Sequence, residues 1–171
     1  MVTMSLAESY LIPMKWCIAE ATVLCLLCAA LGGPVMGQRK KHFSKEWLDA
    51  EFKEISVKET GAEPAKSGYP DCGNGRFSKK LSLGQWLEFN NTMRTHLNFV
   101  EVLPVFTFLI IAAGFFNPAG TQIAGLVLIA ARIVYFFSYR IHPNLRGLGV
   151  WPGFGAAGYM IWTIVQGLLK A

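Results

Sequence analysis

The chain has 171 residues, of which 53 % are hydrophobic and 16 % are charged, and its net charge is +5 at pH 7. A disordered chain combines few apolar residues with a high charge density, so the composition excludes one. Soluble domains contain about 25 % charged residues, so this chain lacks the polar surface that such a domain needs. The composition predicts one membrane-embedded domain over residues 1–171.

Four apolar windows are long enough to cross a bilayer as helices, which takes about 20 mainly apolar residues each. They cover residues 11–37, 97–116, 119–139 and 147–169. The first window is too long for a cleaved signal peptide and has no basic leader. We therefore predict an all-α membrane protein in which four transmembrane helices form an up-down bundle.

Lysine and arginine are distributed unevenly among the predicted connections. Residues 38–93 contain ten of the 16, and the turn at 117–118 contains none. Because basic connections stay in the cytoplasm, we expect residues 38–93 on the cytoplasmic side and both termini on the opposite side. This asymmetry explains the net charge, and no nucleic-acid partner is expected.

The long connection has two parts. Residues 44–55 place Trp47, Leu48, Phe52 and Ile55 on roughly one side of a helix, which is typical of a helix on a membrane surface. Residues 59–80 are rich in glycine, proline and serine, so we expect a loop there.

Polar residues recur at helical spacing in the second and third spans, and each set therefore lies on one helix face. The two sets are Arg94, Asn98 and Glu101, and Arg132, Tyr135 and Tyr139, with Arg146 following. Two interpretations are open. The charges pair with each other between helices, or both sets line a cavity for a small anionic molecule, with arginines binding carboxylates and Asn98 and Glu101 accepting hydrogen bonds from amide and ammonium groups.

Other polar or small residues in the spans have simpler interpretations. The cysteines at 17, 25 and 28 lie in one apolar stretch, where small packing residues are common, and the three histidines lack metal-ligand spacing, so no metal is expected. Gly149, Gly153 and Gly158 are interpreted as sites of close helix approach. Glu20 is an ionisable residue inside the first span and is unusual there.

The run from Arg94 to Pro104 and the later pattern Arg132-x-x-Tyr135-x-x-x-Tyr139, followed by Arg146, closely resemble the membrane-associated proteins in eicosanoid and glutathione metabolism, the MAPEG family. The resemblance covers about the whole chain. The family includes the microsomal glutathione transferases, leukotriene C4 synthase, prostaglandin E synthase and the five-lipoxygenase-activating protein.

The resemblance implies a homotrimer in the endoplasmic reticulum membrane, with glutathione bound between subunits near the cytoplasmic face and a lipophilic substrate arriving from the bilayer lipid. It implies that glutathione is bound by Arg94, Asn98, Glu101, Tyr135 and Tyr139, with His96, Arg39 and Lys40 as further candidates. Arg146 would face the sulfur as the catalytic residue.

Two details are similar to the third microsomal glutathione transferase. Glu101 and Pro104 are three residues apart, as they also are in leukotriene C4 synthase, and Gly147 follows Arg146. The implied activity is conjugation of glutathione to lipophilic electrophiles, including leukotriene C4 synthesis, or reduction of lipid hydroperoxides. The alternatives are a non-catalytic lipid-binding scaffold similar to the five-lipoxygenase-activating protein and an isomerase similar to prostaglandin E synthase.

Overall fold

The computed structural model describes residues 6–65 and 71–170, and these residues form five α-helices and two short 3-10 helices. The α-helices are α1 (Leu6–His42), α2 (Lys45–Thr60), α3 (Leu83–Phe116), α4 (Pro118–Ile141) and α5 (Gly147–Lys170), and the 3-10 helices are Ser78–Lys80 and Pro143–Arg146. Helices α1, α3, α4 and α5 are long and apolar enough to cross a membrane. Each of the four predicted windows falls within one of these helices, and the chain is an integral membrane protein.

Helix α3 begins at Leu83 and not at residue 97, where the apolar window starts. Ser82 and Gln85 cap it reciprocally: the Ser82 N–H donates to Gln85 Oε1 (3.0 Å) and the Gln85 N–H donates to Ser82 Oγ (3.4 Å). Helix α1 likewise continues through its basic last turn to His42. Both helices therefore extend into the predicted connection over 38–93, because hydropathy detects only the apolar part of a helix.

The helix predicted from residues 44–55 is present and extends to Thr60; its position on the membrane surface stays a prediction. Ser44 is its N-cap, and Gly61 ends it in the left-handed conformation (φ 73°) with its N–H bonded to the Val57 carbonyl. Leu48 and Phe52 are buried, whereas Ile55 is exposed. The expected loop begins only after Thr60, and residues 66–70 of it lie outside the described residues.

The chain divides into two compact units. We call Met1–Ala30 with Leu97–Ala171 the transmembrane unit and Leu31–His96 the connecting unit. Helices α1 and α3 each contribute residues to both units.

In the transmembrane unit, α4 and α5 approach closely at Gly149. A Cβ there would lie 2.5 Å from both the Ala131 carbonyl oxygen and the Tyr135 nitrogen. At Gly153 a Cβ would make an ordinary contact, 3.7 Å from the Ala131 Cβ. Nothing lies within 4 Å of a Cβ at Gly158, so the predicted close approach there is wrong for the described subunit.

Helix α1 packs on α4 through Glu20, whose side chain is buried against Gly125. A Cβ at position 125 would collide with the Glu20 carboxylate. One turn earlier, the Cys17 thiol donates to the Pro118 carbonyl at 3.5 Å. The unusual Glu20 is therefore accommodated by a small residue on the facing helix.

In the connecting unit, Glu88 of α3 is bound by three side chains from the end of α1. Its carboxylate accepts hydrogen bonds from Lys41 Nζ (2.7 and 2.8 Å) and Gln38 Nε2 (3.1 Å), and it lies 3.1 Å from His42 Nε2. These contacts join the two helix ends.

The loop before α3 is organised by Asp71. Its carboxylate accepts from the N–H groups of Gly73 and Ser78, both at 2.8 Å, and the Gly73 carbonyl accepts from Trp86 Nε1 at 2.6 Å. Partial burial opposes ionisation of Asp71, but hydrogen bonds from the Ser78 and Gly73 N–H groups, the Ser78 side chain and the Gly75 backbone together outweigh it and hold the pKa of this carboxyl below its usual value.

Candidate functional site

Arg132 of α4 is buried inside the transmembrane unit, with 6 % of its surface exposed. Its Nη2 donates to Asn98 Oδ1 of α3 at 2.9 Å. Its guanidinium carbon lies 4.6 Å from the Tyr135 ring centroid and 4.9 Å from that of Phe99, which are cation–π distances. Arg132 therefore joins two helices, as the first sequence interpretation proposed, but through an amide and aromatic rings and not through a carboxylate.

The contact with Arg132 fixes the orientation of the Asn98 amide. Because a guanidinium only donates hydrogen bonds, the atom facing it must be the amide oxygen. The NH2 group is therefore the part that can donate to a ligand carbonyl or carboxylate. The amide oxygen accepts from Arg132 but has a second lone pair, so the expectation that Asn98 accepts from a ligand stays a prediction.

Arg94 and Glu101 share a face of α3 by their spacing, and both side chains are exposed. Within residues 6–65 and 71–170, neither forms an ion pair, so the predicted pairing among Arg94, Glu101 and Arg132 is absent there. Charged groups on a spanning helix are costly against lipid and normally face protein or a polar cavity. This face of α3 is therefore expected to contact protein or a polar ligand and not lipid.

Tyr135 and Tyr139 are one turn apart on α4, with ring centroids 5.7 Å apart. Tyr135 is buried and stacked on Arg132, whereas Tyr139 is partly exposed. The two tyrosines therefore have different surroundings, and Tyr139 is the more accessible to a ligand.

Arg146 is exposed and is the last residue of the 3-10 helix that leads directly into α5. The first turn of α5 contains no acidic side chain. A helix N-terminus has a partial positive charge, so Arg146 and the first turn of α5 together favour an anion at this point.

Of the predicted residues in the connecting unit, Arg39 approaches Met93, with Nη2 3.7 Å from Sδ. His96 packs over Gly32, where a Cβ would lie 3.4 Å from the imidazole Cε1. Arg39 and Lys40 also line a cavity of about 880 Å³ in this unit, and none of the other seven predicted site residues lines that cavity.

The family model that matches the chain is that of the MAPEG family, over residues 16–166. The chain belongs to the MAPEG family. The match begins in α1 and ends in α5, and so includes every predicted site residue of this MAPEG chain. No curated protein sequence matches it significantly. The MAPEG family includes glutathione transferases, synthases and non-catalytic members, and it generally uses glutathione.

Sequence reasoning missed two features of this MAPEG protein. Phe99 stacks on Arg132, and the only signal for it was an aromatic residue adjacent to the polar set on α3. The cavity in the connecting unit was also missed. The only signal for it was the apolar face of α2, formed by Leu48, Phe52 and Ile55, which predicts that this face contacts an apolar surface.

Proposed function

We propose that this MAPEG protein is a glutathione transferase and peroxidase of the third microsomal type, acting as a homotrimer in the endoplasmic reticulum membrane with its site facing the cytoplasm. Its reaction joins glutathione to a lipophilic electrophile, leukotriene C4 synthesis included, or reduces a lipid hydroperoxide. The observation on which the proposal rests is the pair of exposed charges on α3, Arg94 and Glu101, in a chain of this family.

A second subunit gives these charges a polar environment. In one subunit the side chains of Arg94 and Glu101 point outward from a membrane-spanning helix, where lipid contact would be unfavourable. Packing of identical subunits around a bound polar molecule removes that contact. This reasoning supports a binding site between neighbouring subunits and not one inside a single subunit.

The available groups match the chemistry of glutathione, which has two carboxylates, one ammonium, two amides and a thiol. Arg94 can bind a carboxylate through two hydrogen bonds, and Glu101 can accept from the ammonium. The NH2 group of Asn98 can donate to a carbonyl or carboxylate, because Arg132 holds its oxygen. Tyr139 offers a partly exposed hydroxyl. Each type of glutathione group thus has a complementary side chain.

Arg146 is proposed to stabilise the thiolate. A thiol with a pKa of about 8.5 is mostly protonated at neutral pH, and a nearby cation or helix N-terminus lowers that pKa. Arg146 stays charged at all relevant pH values, and it immediately precedes the N-terminus of α5. Glutathione supplies the nucleophilic sulfur, and this chain supplies the fixed positive charge that keeps the sulfur ionised.

The experiment is a glutathione titration of the detergent-purified protein, following the ultraviolet difference absorbance of the thiolate. In Arg146→Ala the signal should disappear and kcat/KM should fall, by up to about tenfold for each unit by which the thiol pKa rises. Because Arg146 is exposed and forms no ion pair in the described part of the chain, the melting temperature should not change.

Arg140→Ala is the matched control, since Arg140 is an exposed arginine near the end of α4 that stacks on Phe136. It should keep the thiolate signal. Equal losses in both variants would contradict the role of Arg146. If the unmodified protein neither binds glutathione nor shows the signal, the enzyme proposal fails and a non-catalytic scaffold is favoured; isomerised products without conjugates would indicate an isomerase.

A further inference from the structure

The connecting unit contains a cavity of about 880 Å³ that the proposed glutathione chemistry does not use. Its walls come from the end of α1, from α2 and from residues 63–65 and 76–77. Cavities that hold small molecules have volumes of about 300–1,000 Å³, so this one is large enough for a ligand.

The floor of the cavity is apolar. Phe43, Leu48 and Phe52 line it and are themselves buried. The Phe52 and Phe77 rings pack with centroids 4.4 Å apart, and Met36 adds a flexible side chain at the α1 end. Such a surface favours an alkyl chain and offers little to a compact polar molecule.

The charges around the cavity are mostly paired within the protein. The pairs are Lys45 with Asp49 (2.6 Å), Arg76 with Glu59 (3.3 Å) and Glu63 with Lys53 (2.8 Å). Two further cations, Arg39 and Lys40, line the α1 end of the cavity, and one further anion, Glu46, also lines the cavity. The α1 end of the cavity is therefore positive.

Lys40 is the cation best placed to bind a ligand. Its side chain is exposed at the cavity and forms no ion pair with any residue in the described ranges. It belongs to the last turn of α1, where this spanning helix ends. A molecule that enters the cavity from the bilayer surface would contact both Lys40 and the apolar side chains that line the cavity.

We propose that this cavity binds a long-chain carboxylate, a molecule of the fatty-acid class, with its alkyl chain along Phe43, Leu48 and Phe52 and its carboxylate at Lys40. Arg94, Glu101 and Arg146 of the proposed glutathione site do not line the cavity, whereas Arg39 and Lys40, the further candidates for binding glutathione, do. Under this proposal the cavity binds the long-chain carboxylate without glutathione, so binding is tested in the absence of glutathione.

The test uses a palmitate probe with a diazirine in its chain, and the full-length protein reconstituted in phosphatidylcholine nanodiscs. After photolysis, peptide mass spectrometry should locate the label on residues 45–60 and 76–77, and excess unlabelled palmitate should remove it. Labelling confined to the spanning helices would overturn the proposal. Equal labelling of α2 by the matched diazirine alcohol would also overturn it, because the carboxylate would then contribute nothing.

Variants at Ser56 and Val57 test the alkyl site, and variants at Lys40 and Lys58 test the head-group site. Ser56→Phe places a ring in the cavity and should abolish labelling of α2, whereas Val57→Phe adds the same ring outside the cavity lining and should not. Ser56→Ala, which removes only the hydrogen bond from Ser56 Oγ to the Ala62 carbonyl (2.8 Å), should retain labelling and so controls for loop damage.

Lys40→Gln should weaken palmitate binding about tenfold, the size expected for one charge-assisted hydrogen bond. Lys58→Gln is its control, since Lys58 is exposed on α2 and does not line the cavity. Unchanged labelling in both Lys40→Gln and Ser56→Phe would overturn the assignment of the site.

Discussion

Charged side chains have different partners and different exposure in the transmembrane unit and in the connecting unit. In the transmembrane unit the buried Arg132 contacts an amide oxygen and aromatic rings. In the connecting unit, exposed lysines pair with exposed or partly exposed carboxylates, as Lys53 does with Glu63. Water solvates the second kind of pair and weakens it, whereas a buried cation depends on every contact it makes. Close packing should therefore determine the stability of the first unit, and many weak contacts that of the second.

The largest effect is expected at Gly149. A leucine side chain would meet the backbone of α4 at Ala131 and Tyr135, 2.5 Å from its Cβ, and backbone cannot move aside as a side chain can. Gly149→Leu should lower the free energy of unfolding by about 3 kcal/mol or more, measured by thermal unfolding in detergent.

Gly158→Leu is the control for Gly149→Leu, because nothing lies within 4 Å of a Cβ at position 158. It should leave the stability of the single subunit unchanged. Equal losses in the two variants would show that general hydrophobic bulk on α5, and not the α4 contact, causes the effect.

The second-largest loss of stability is expected for substitutions of Arg132. Arg132→Ala leaves Asn98 Oδ1 without its donor and opens a cavity beside Phe99, and should cost about 2–3 kcal/mol. Arg132→Met fills the space with apolar atoms and should cost less, since apolar replacements of buried charges are often tolerated. If methionine and alanine cost the same, the packing argument for the transmembrane unit is wrong.

A smaller effect is expected in the connecting unit at Glu88. Its carboxylate contacts Gln38, Lys41 and His42 but is partly exposed, so Glu88→Gln should cost about 1 kcal/mol or less, and the cost should shrink as salt is added. Glu54→Gln, an exposed change on α2, should have no effect. If the loss of stability in Glu88→Gln did not depend on salt, the contacts of Glu88 would stabilise the protein through packing and not through charge.

The smallest effect is a local dependence on pH at Asp71. Its pKa is lowered in the folded protein, so its contribution to stability is complete above the ordinary pKa of an aspartate and is lost as the pH falls through the lowered value. The protection of the Gly73 and Ser78 amides from hydrogen exchange, relative to an unfolded chain at the same pH, should fall only in that acid range. Asp71→Asn should remove the dependence; its persistence in that variant would assign it to another group.

The sequence was most informative where a pattern alone determines the structure. Length and hydropathy located the four spans, and the spacing from Arg94 to Pro104 indicated the family that the match over residues 16–166 establishes. Hydropathy could not locate the start of α3 at Leu83, because that end depends on reciprocal hydrogen bonds between Ser82 and Gln85 and not on apolar residues.

By itself, the sequence determined that the chain is an integral membrane protein with two polar helix faces, because hydropathy and helical periodicity are properties of the chain alone. Only the tertiary structure decided which polar residues meet. Arg132 turns inward to Asn98, while Arg94 and Glu101 remain exposed. The spacing of residues along a helix determines which of them share a face. Which of those residues are buried depends on how α3 packs against α4.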